Sequence, residues 1–275
     1  MKNKLILLFA LITSHLSAQS NLNFFPSELN VHPFTANFLE PKLGFQFHFA
    51  KNDLRLDIGN SLDIVHFSTD DQEVFSIGAD LFTYSLLRAE KNFHFPVDAI
   101  DYLFGLNASY KRVVDNSEYG IRFRLSHISA HFVDGHYDGP NQQWRGMVNP
   151  IVYSREFIEL IPFYNFNSFR IYTGLTFIFN INPAELGKTE FQFGCDYFND
   201  ELFSNSVIPF IAYDLKLTKI KKYAANNTFM AGLKFGKPFS KGFKLYLQYY
   251  SGKNFHGEYF YENKKYFSIG LNLDL

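Results

Sequence analysis

The chain has 275 residues, with 26 Lys and Arg against 27 Asp and Glu, one Cys, and an aromatic content of 19% that includes 34 Phe and 17 Tyr. With no basic surplus to neutralise phosphates, nucleic-acid binding by bulk charge is excluded, and no nucleic-acid partner is expected. One cysteine excludes an internal disulfide framework, and 47% hydrophobic against 19% charged residues excludes a disordered chain.

At the N-terminus Lys2 and Lys4 precede an apolar run from Leu5 to Ile12, followed by Ser14, Ser17 and Ala18. This pattern predicts a secretory signal peptide over residues 1–18. The run is far shorter than the roughly 20 residues a helix needs to span a bilayer. Cleavage removes two of the 26 cationic residues and leaves 24 against 27 acidic ones. No later apolar run approaches spanning length, so the mature chain is either soluble outside the cytoplasm or embedded as strands. Residues 19–42 read as a leader, in the periplasm or tucked into a lumen, ahead of a single domain at 43–275.

From residue 43 onward apolar side chains recur with period two, the strand period. Leu43, Phe45, Phe47 and Phe49 begin it, followed by Phe75, Ile77, Ala79 and Leu81, then Tyr102, Phe104, Leu106, Ala108 and Tyr110. The row Phe169, Ile171, Thr173, Leu175, Phe177 and Phe179 comes next, then Phe191, Phe193 and Cys195, then Phe229, Ala231, Leu233 and Phe235. Phe243, Leu245, Leu247 and Tyr249 precede a last row, Phe267 to Leu275, that reaches the carboxylate. Weaker stretches near 53–66, 119–131, 147–161 and 206–217 bring the count to about twelve strands.

Such a pattern suits either a soluble sandwich or barrel, or an outer-membrane barrel with its apolar face toward lipid. The polar face carries Arg122, Arg124, Glu190, Asp196 and Lys244 at mid-strand, as a wet lumen would, while the opposite face is aromatic and almost uncharged. The fold class expected is therefore all-β: a transmembrane antiparallel β-barrel of about 12 strands in the outer membrane of a Gram-negative bacterium. Outer-membrane lipids and the barrel-assembly machinery are its expected partners, and no cofactor is expected. Short turns near 113–118, 163–167 and 237–241 and longer connections near 132–146, 181–188 and 252–264 make odd-numbered strands run outward. The link at Lys51 and Asn52 fits that alternation poorly.

Polar chemistry interrupts the lipid-facing pattern in the stretch from Tyr119 to Asp138. Ile121, Phe123 and Leu125 set one face, and His127, Ser129 and His131 continue it. Side chains two apart on a strand share a side, so His127 could serve as base to a Ser129 nucleophile. Such a pair needs a third group to orient the imidazole, and Asn149, Asp134 and Asn141 are the candidates. His-x-Ser on an outward strand followed by an orienting side chain is similar to the outer-membrane phospholipase and lipid A deacylase barrels, over this one strand. The plainer alternative is that His127 and Ser129 are interfacial residues at headgroup level. Metal binding by His127, His131 and His136 would put a helical spacing on a strand. Asp134 and Asp138 read as turn formers before they read as calcium ligands. Arg122, Arg124 and Glu156 are expected to line the lumen, with Arg155 in the same constellation, and to plug it through ion pairs. Leu186-Gly187-Lys188-Thr189 lacks the upstream glycine of a phosphate loop, and Cys195 reads as a small apolar filler of the lipid-facing row.

Several segments together resemble a family of uncharacterised bacterial outer-membrane proteins, domain of unknown function twelve-oh-seven. They are Phe25-Pro26 through Pro33 and Glu40-Pro41, then Asp98, Asp101-Tyr102 and Gly105, then Arg122 and Arg124 through Ser129 to His131, and Tyr153-Ser154-Arg155-Glu156. The resemblance runs in order from about residue 24 to 200. In that family the serine segment reads His-x-Ser-Ser-His followed by Leu-Gly-Asp-Glu. His127, Ser129, His131 and Asp134 match it, whereas Ala130 replaces the second serine and Phe132, Val133 and Gly135 replace the rest of the tail. The resemblance implies an outer-membrane barrel and brings no activity with it. Two functions follow as expectations: a non-catalytic barrel, structural or narrow-pore, and alternatively a lipid acyl-ester hydrolase of phospholipase or lipid A deacylase type using His127 and Ser129.

Overall fold

The computed structural model describes residues 21–40, 42–49, 52–70, 72–202 and 206–275. The expected signal peptide at 1–18 lies outside the described residues. Twelve antiparallel strands form the wall: β1 Leu43–His48, β2 Asp53–Ser68, β3 Glu73–Arg88, β4 Val97–Val114, β5 Ser117–Phe132, β6 Tyr153–Phe166, β7 Phe169–Asn182, β8 Leu186–Phe198, β9 Val207–Ile220, β10 Lys222–Phe235, β11 Gly242–Lys253 and β12 Asn263–Asp274. Each pairs with its chain neighbour, and β12 pairs with β1, so the sheet closes on itself. Closure satisfies backbone groups around the ring, which a lipid-embedded wall requires.

Period two then sorts the side chains. Phe45, Phe47, Leu81, Phe104, Leu106, Phe177, Phe193 and Leu247 stand on the outer surface, while Asp80, Arg124, Glu159, Arg170, Asp196 and Lys216 are buried inside. An apolar, aromatic exterior around a charged interior is the arrangement lipid demands. Cys195 stays on the outward row, opposite Ile171 and Tyr213. The described residues contain no helix long and apolar enough to cross a membrane.

The strands run longer than the alternation alone suggested, so several connections shrink. The β6–β7 turn is only 167–168, and the β7–β8 connection, expected at 181–188, is only 183–185. Asp115 and Asn167 adopt left-handed conformations in the tight β4–β5 and β6–β7 turns, where Asp and Asn are tolerated. The longest connection, 133–152, follows β5, and odd-numbered strands run outward by loop length.

The first strand is split. Asn21–Phe24 pairs antiparallel with β2 at Val65–Ser68, and β1 pairs with the same strand at Leu54–Asp57. Between them residues 25–40 leave the wall, and the stretch from Asn30 to Glu40 is mostly buried against the inner face. Phe34 packs against Tyr172 with the rings tilted and their centroids 4.2 Å apart, and it lies beneath the guanidinium groups of Arg122 and Arg170 at 4.7 and 4.5 Å. Glu40 reaches mid-barrel, where its carboxylate takes Arg122 at 2.6 Å and Arg124 at 3.0 Å. From the other end the β11–β12 connection, 254–262, folds into the mouth: His256 and the Gly257 amide both donate to Asp101, at 2.6 and 2.7 Å. The two intrusions meet where Phe38 and Phe255 lie 5.6 Å apart.

Candidate active site at the outer rim

On β5 the residues of even number, Arg122, Arg124, Ser126, Ile128 and Ala130, are buried, which places His127, Ser129 and His131 on the outward row. Register fixes their neighbours. His127 lies between Phe104 of β4 and Glu156 of β6, and Ser129 lies between Tyr102 and Ser154. Cross-strand partners of this kind are the side chains that touch. The Phe104 ring is 4.9 Å from the His127 ring. On the other side the His127 Nδ1–H donates to Glu156 Oε1 at 2.7 Å, since a carboxylate only accepts. Nε2 is then left as the basic nitrogen. Ser154 Oγ donates to the same Glu156 oxygen at 3.3 Å and braces it.

Glu156 is therefore not a lumen residue. It is expected with Arg122, Arg124 and Arg155 in one lumenal constellation, but neighbouring residues of a strand face opposite sides, so Arg155 and Glu156 cannot both point inward. In the outer half of the barrel the interior itself is aromatic: Phe157 packs with Tyr153, Tyr250 and Phe38 in the largest buried cluster, and parity turns Glu156 outward. Arg155 and Glu159 are the inward charges of β6: Arg155 donates to Glu190 at 2.7 Å, and Glu159 is buried near Arg122 and Arg124. Arg122 and Arg124 point inward, held by Glu40, with Asp80 3.1 Å from Arg124.

None of Asn149, Asp134 and Asn141, the residues expected to orient the imidazole, is hydrogen-bonded to His127, whose partner is Glu156. Asn149 was expected near the start of strand six, but that strand begins at Tyr153, four residues later, after Pro150 has removed a ladder donor. Asp134 opens a short 3-10 turn and accepts from the Gly135 amide. Asn141 is tied to Asp138 at 2.8 Å, and it holds the Asp138 carboxyl below its usual range. The three histidines are not gathered either. His131 is exposed 5.9 Å from the Tyr102 ring, while His136 is buried, stacked on Phe132 at 3.9 Å. Its Nε2–H donates to the Val148 carbonyl at 3.3 Å and its Nδ1 accepts from the Tyr259 hydroxyl at 3.1 Å. Among the described residues no cluster of three or more His, Cys, Asp or Glu has metal-binding geometry.

A bulge extends the polar patch around the wall. On β7 one extra residue lies between the pairs Ile178–Phe157 and Asn180–Glu156, so parity flips and Asn180 and Asn182 emerge beside Glu156 and Ser154. By unbroken alternation Asn180 and Asn182 would fall on the face opposite the row from Phe169 to Phe179. A one-residue slip is what makes them outward neighbours of the His127–Glu156 pair.

A closed twelve-stranded antiparallel barrel with a lipid-facing apolar exterior and a charged, filled interior is an outer-membrane β-barrel protein. The family described as Protein of unknown function (DUF1207) matches residues 93–275, and the chain belongs to it. That span holds Arg122 to His131 and Tyr153 to Glu156 and runs to the C-terminus, while the leader residues that resembled the family lie outside it. No curated protein matches the chain. Among solved structures, the outer membrane phospholipase A from Escherichia coli is similar at a TM-score of 0.56 and 12% identity, covering 90% of this chain and 94% of that one. The Salmonella typhi outer membrane phospholipase dimer with bound calcium is similar at 0.54 and 12%, with the same coverage. At that identity the likeness speaks for the fold.

Proposed function

We propose that this barrel is an outer-membrane lipid acyl-ester hydrolase, with Ser129 as nucleophile, His127 as general base and Glu156 as the residue that orients the imidazole. The observation that carries it is the 2.7 Å hydrogen bond from His127 Nδ1 to Glu156 on a surface that otherwise faces lipid. A carboxylate on Nδ1 fixes the tautomer, leaves Nε2 to take the serine proton and stabilises the imidazolium that forms. Ser129, one step along the same row toward the outer rim, would attack the ester carbonyl of a lipid lying against β5 and β6. The alkoxide leaves with the proton from His127, and water then releases the acyl chain. Ser154, Asn180 and Asn182 are the neutral donors that this outward patch offers to the developing oxyanion.

The likeness in fold to outer membrane phospholipase A agrees with this reading. The narrow-pore alternative has a specific obstacle in the leader and the 254–262 connection, which fill the lumen from its two ends and touch through Phe38 and Phe255. The deciding experiment is mass spectrometry of outer-membrane lipids from a deacylase-free host expressing the wild-type barrel or Ser129→Ala. Lipids short of an acyl chain with wild type alone make this an enzyme and name its substrate. Identical lipid profiles from two folded barrels rule the hydrolase out.

A further inference from the structure

At the end of the barrel opposite Ser129, a cavity of about 420 Å³ opens between the leader at 28–32, the β4–β5 turn and the end of β6. That volume lies within the range of small-molecule sites. Its wall is acidic: Glu28 from the leader, Asp115 from the turn and Glu118 from β5. The cations in the wall are largely committed. Arg170 is held by Asp196 at 2.5 Å and by the His32 and Pro33 carbonyls, and Lys111 lies 4.0 Å from Glu118. His32 lies 3.7 Å from Glu28, yet burial first and Arg170 second pull its pKa down to about 3, so at neutral pH it carries no charge to balance that carboxylate. Among the described residues Glu28 makes no ion pair other than that with His32, and Asp115 makes none.

An independent feature points the same way. Asn165, only 5% exposed, lines this cavity, and its Nδ2 is taken by Glu118 at 2.9 Å. Its Oδ1 is buried with no hydrogen-bond partner. A buried acceptor without a donor is uncommon in a folded protein and asks for one.

We propose that this cavity is a binding site for a small aliphatic amine of the periplasmic space, whose ammonium groups balance Glu28, Asp115 and Glu118 and supply the donor that Asn165 lacks. Ammonium groups carry only donors, which an acceptor-rich pocket matches and an anion does not. Because Glu28 and His32 belong to the leader while Glu118 and Asn165 belong to the wall, the bound amine bridges the two and holds the leader in the lumen.

The test is a calorimetric titration of spermidine into the full-length mature barrel, refolded in a neutral detergent at pH 7.5, with succinate and glycerol as controls. The expected result is saturable one-to-one binding of spermidine, no binding of either control, and at least tenfold weaker binding to Glu28→Gln/Glu118→Gln. Asn165→Leu is expected to weaken binding without changing charge. Heat-modifiable migration on gels verifies that each variant is folded. Absence of saturable spermidine binding, equal binding of succinate, or undiminished affinity in the folded double variant overturns the proposal. The lipid assay reads the opposite rim and is indifferent to the outcome.

Discussion

The His127 imidazole and the Glu156 carboxylate are direct register partners across the β5–β6 seam and meet at 2.7 Å on the outward face of the barrel. Two side chains that can ionise are rarely neighbours on a lipid-facing surface, and here the two form one hydrogen bond across the seam, with Ser129 two positions along β5 from His127.

If Glu156 sets the tautomer of His127, Glu156→Gln keeps the side-chain shape but offers an amide in place of a carboxylate. Esterase turnover on a fluorogenic phospholipid is expected to fall by about 10²- to 10⁴-fold in kcat, with KM little changed. Asn149→Ala and Asp134→Ala are expected to retain wild-type turnover, since neither residue approaches the imidazole. A Glu156→Gln enzyme as active as wild type would leave His127 without its proposed partner.

Glu40 is fully buried and is the shared anion of Arg122 and Arg124. Glu40→Ala leaves two guanidinium groups short of their counter-charge inside the barrel, and breaking a buried pair of this kind costs about 3–5 kcal/mol. The urea midpoint of the refolded barrel is expected to drop accordingly. In planar bilayers the same variant is expected to show openings absent from wild type, because the leader is then free to leave the lumen. A Glu40→Ala barrel as stable and as silent as wild type would show that the leader is held by its aromatic anchors alone.

At the outer mouth Asp101 accepts from both the His256 ring and the Gly257 amide, so it latches the 254–262 connection. Hydrogen bonds to a charged group contribute about 1.5–3 kcal/mol each, so Asp101→Ala is expected to raise the open population at least tenfold. Limited trypsinolysis at Lys253 and Lys264 measures it. Gly257→Ala is expected to act alike, since a Cβ there would come within 2.3 Å of the Tyr153 ring. Equal cleavage rates for wild type and both variants would dismiss the latch.

Burial pulls the His136 pKa below the ordinary 6.5. Its neutral form is the one that accepts from Tyr259 and donates to Val148, and the folded cluster binds fewer protons there than the open loop would. The stabilisation is therefore present above pH 6.5 and is lost as pH falls below it toward the depressed value. Trp144, the single tryptophan, stacks 6.1 Å from His136 and reports the change. Its emission is expected to be constant from pH 8 to 7 and to shift on acidification below 6.5. His136→Phe is expected to abolish the shift, and a shift that persisted would assign it to another group.

Period-two alternation, the aromatic excess and the mid-strand charges sufficed to read twelve strands, a lipid-facing exterior and an inward Arg122 and Arg124 from the amino-acid order alone, because each of these is a local property repeated along the chain. The His-x-Ser row on β5 was legible for the same reason. What pairs with that row was not, since a hydrogen-bonding partner 29 positions away depends on strand register, and one residue of slip exchanges every inward side chain for an outward one. Arg155 and Glu156 are chain neighbours on opposite faces of one strand, and only the pairing of that strand with β5 decides that Arg155 faces the lumen and Glu156 the outside. The bulge that turns Asn180 and Asn182 outward, the leader's insertion of Glu40 between two arginines, and the meeting of Phe38 with Phe255 share this character. They were decided when the sheet closed, because only closure brings the two ends of the chain and the interior of the wall into one space.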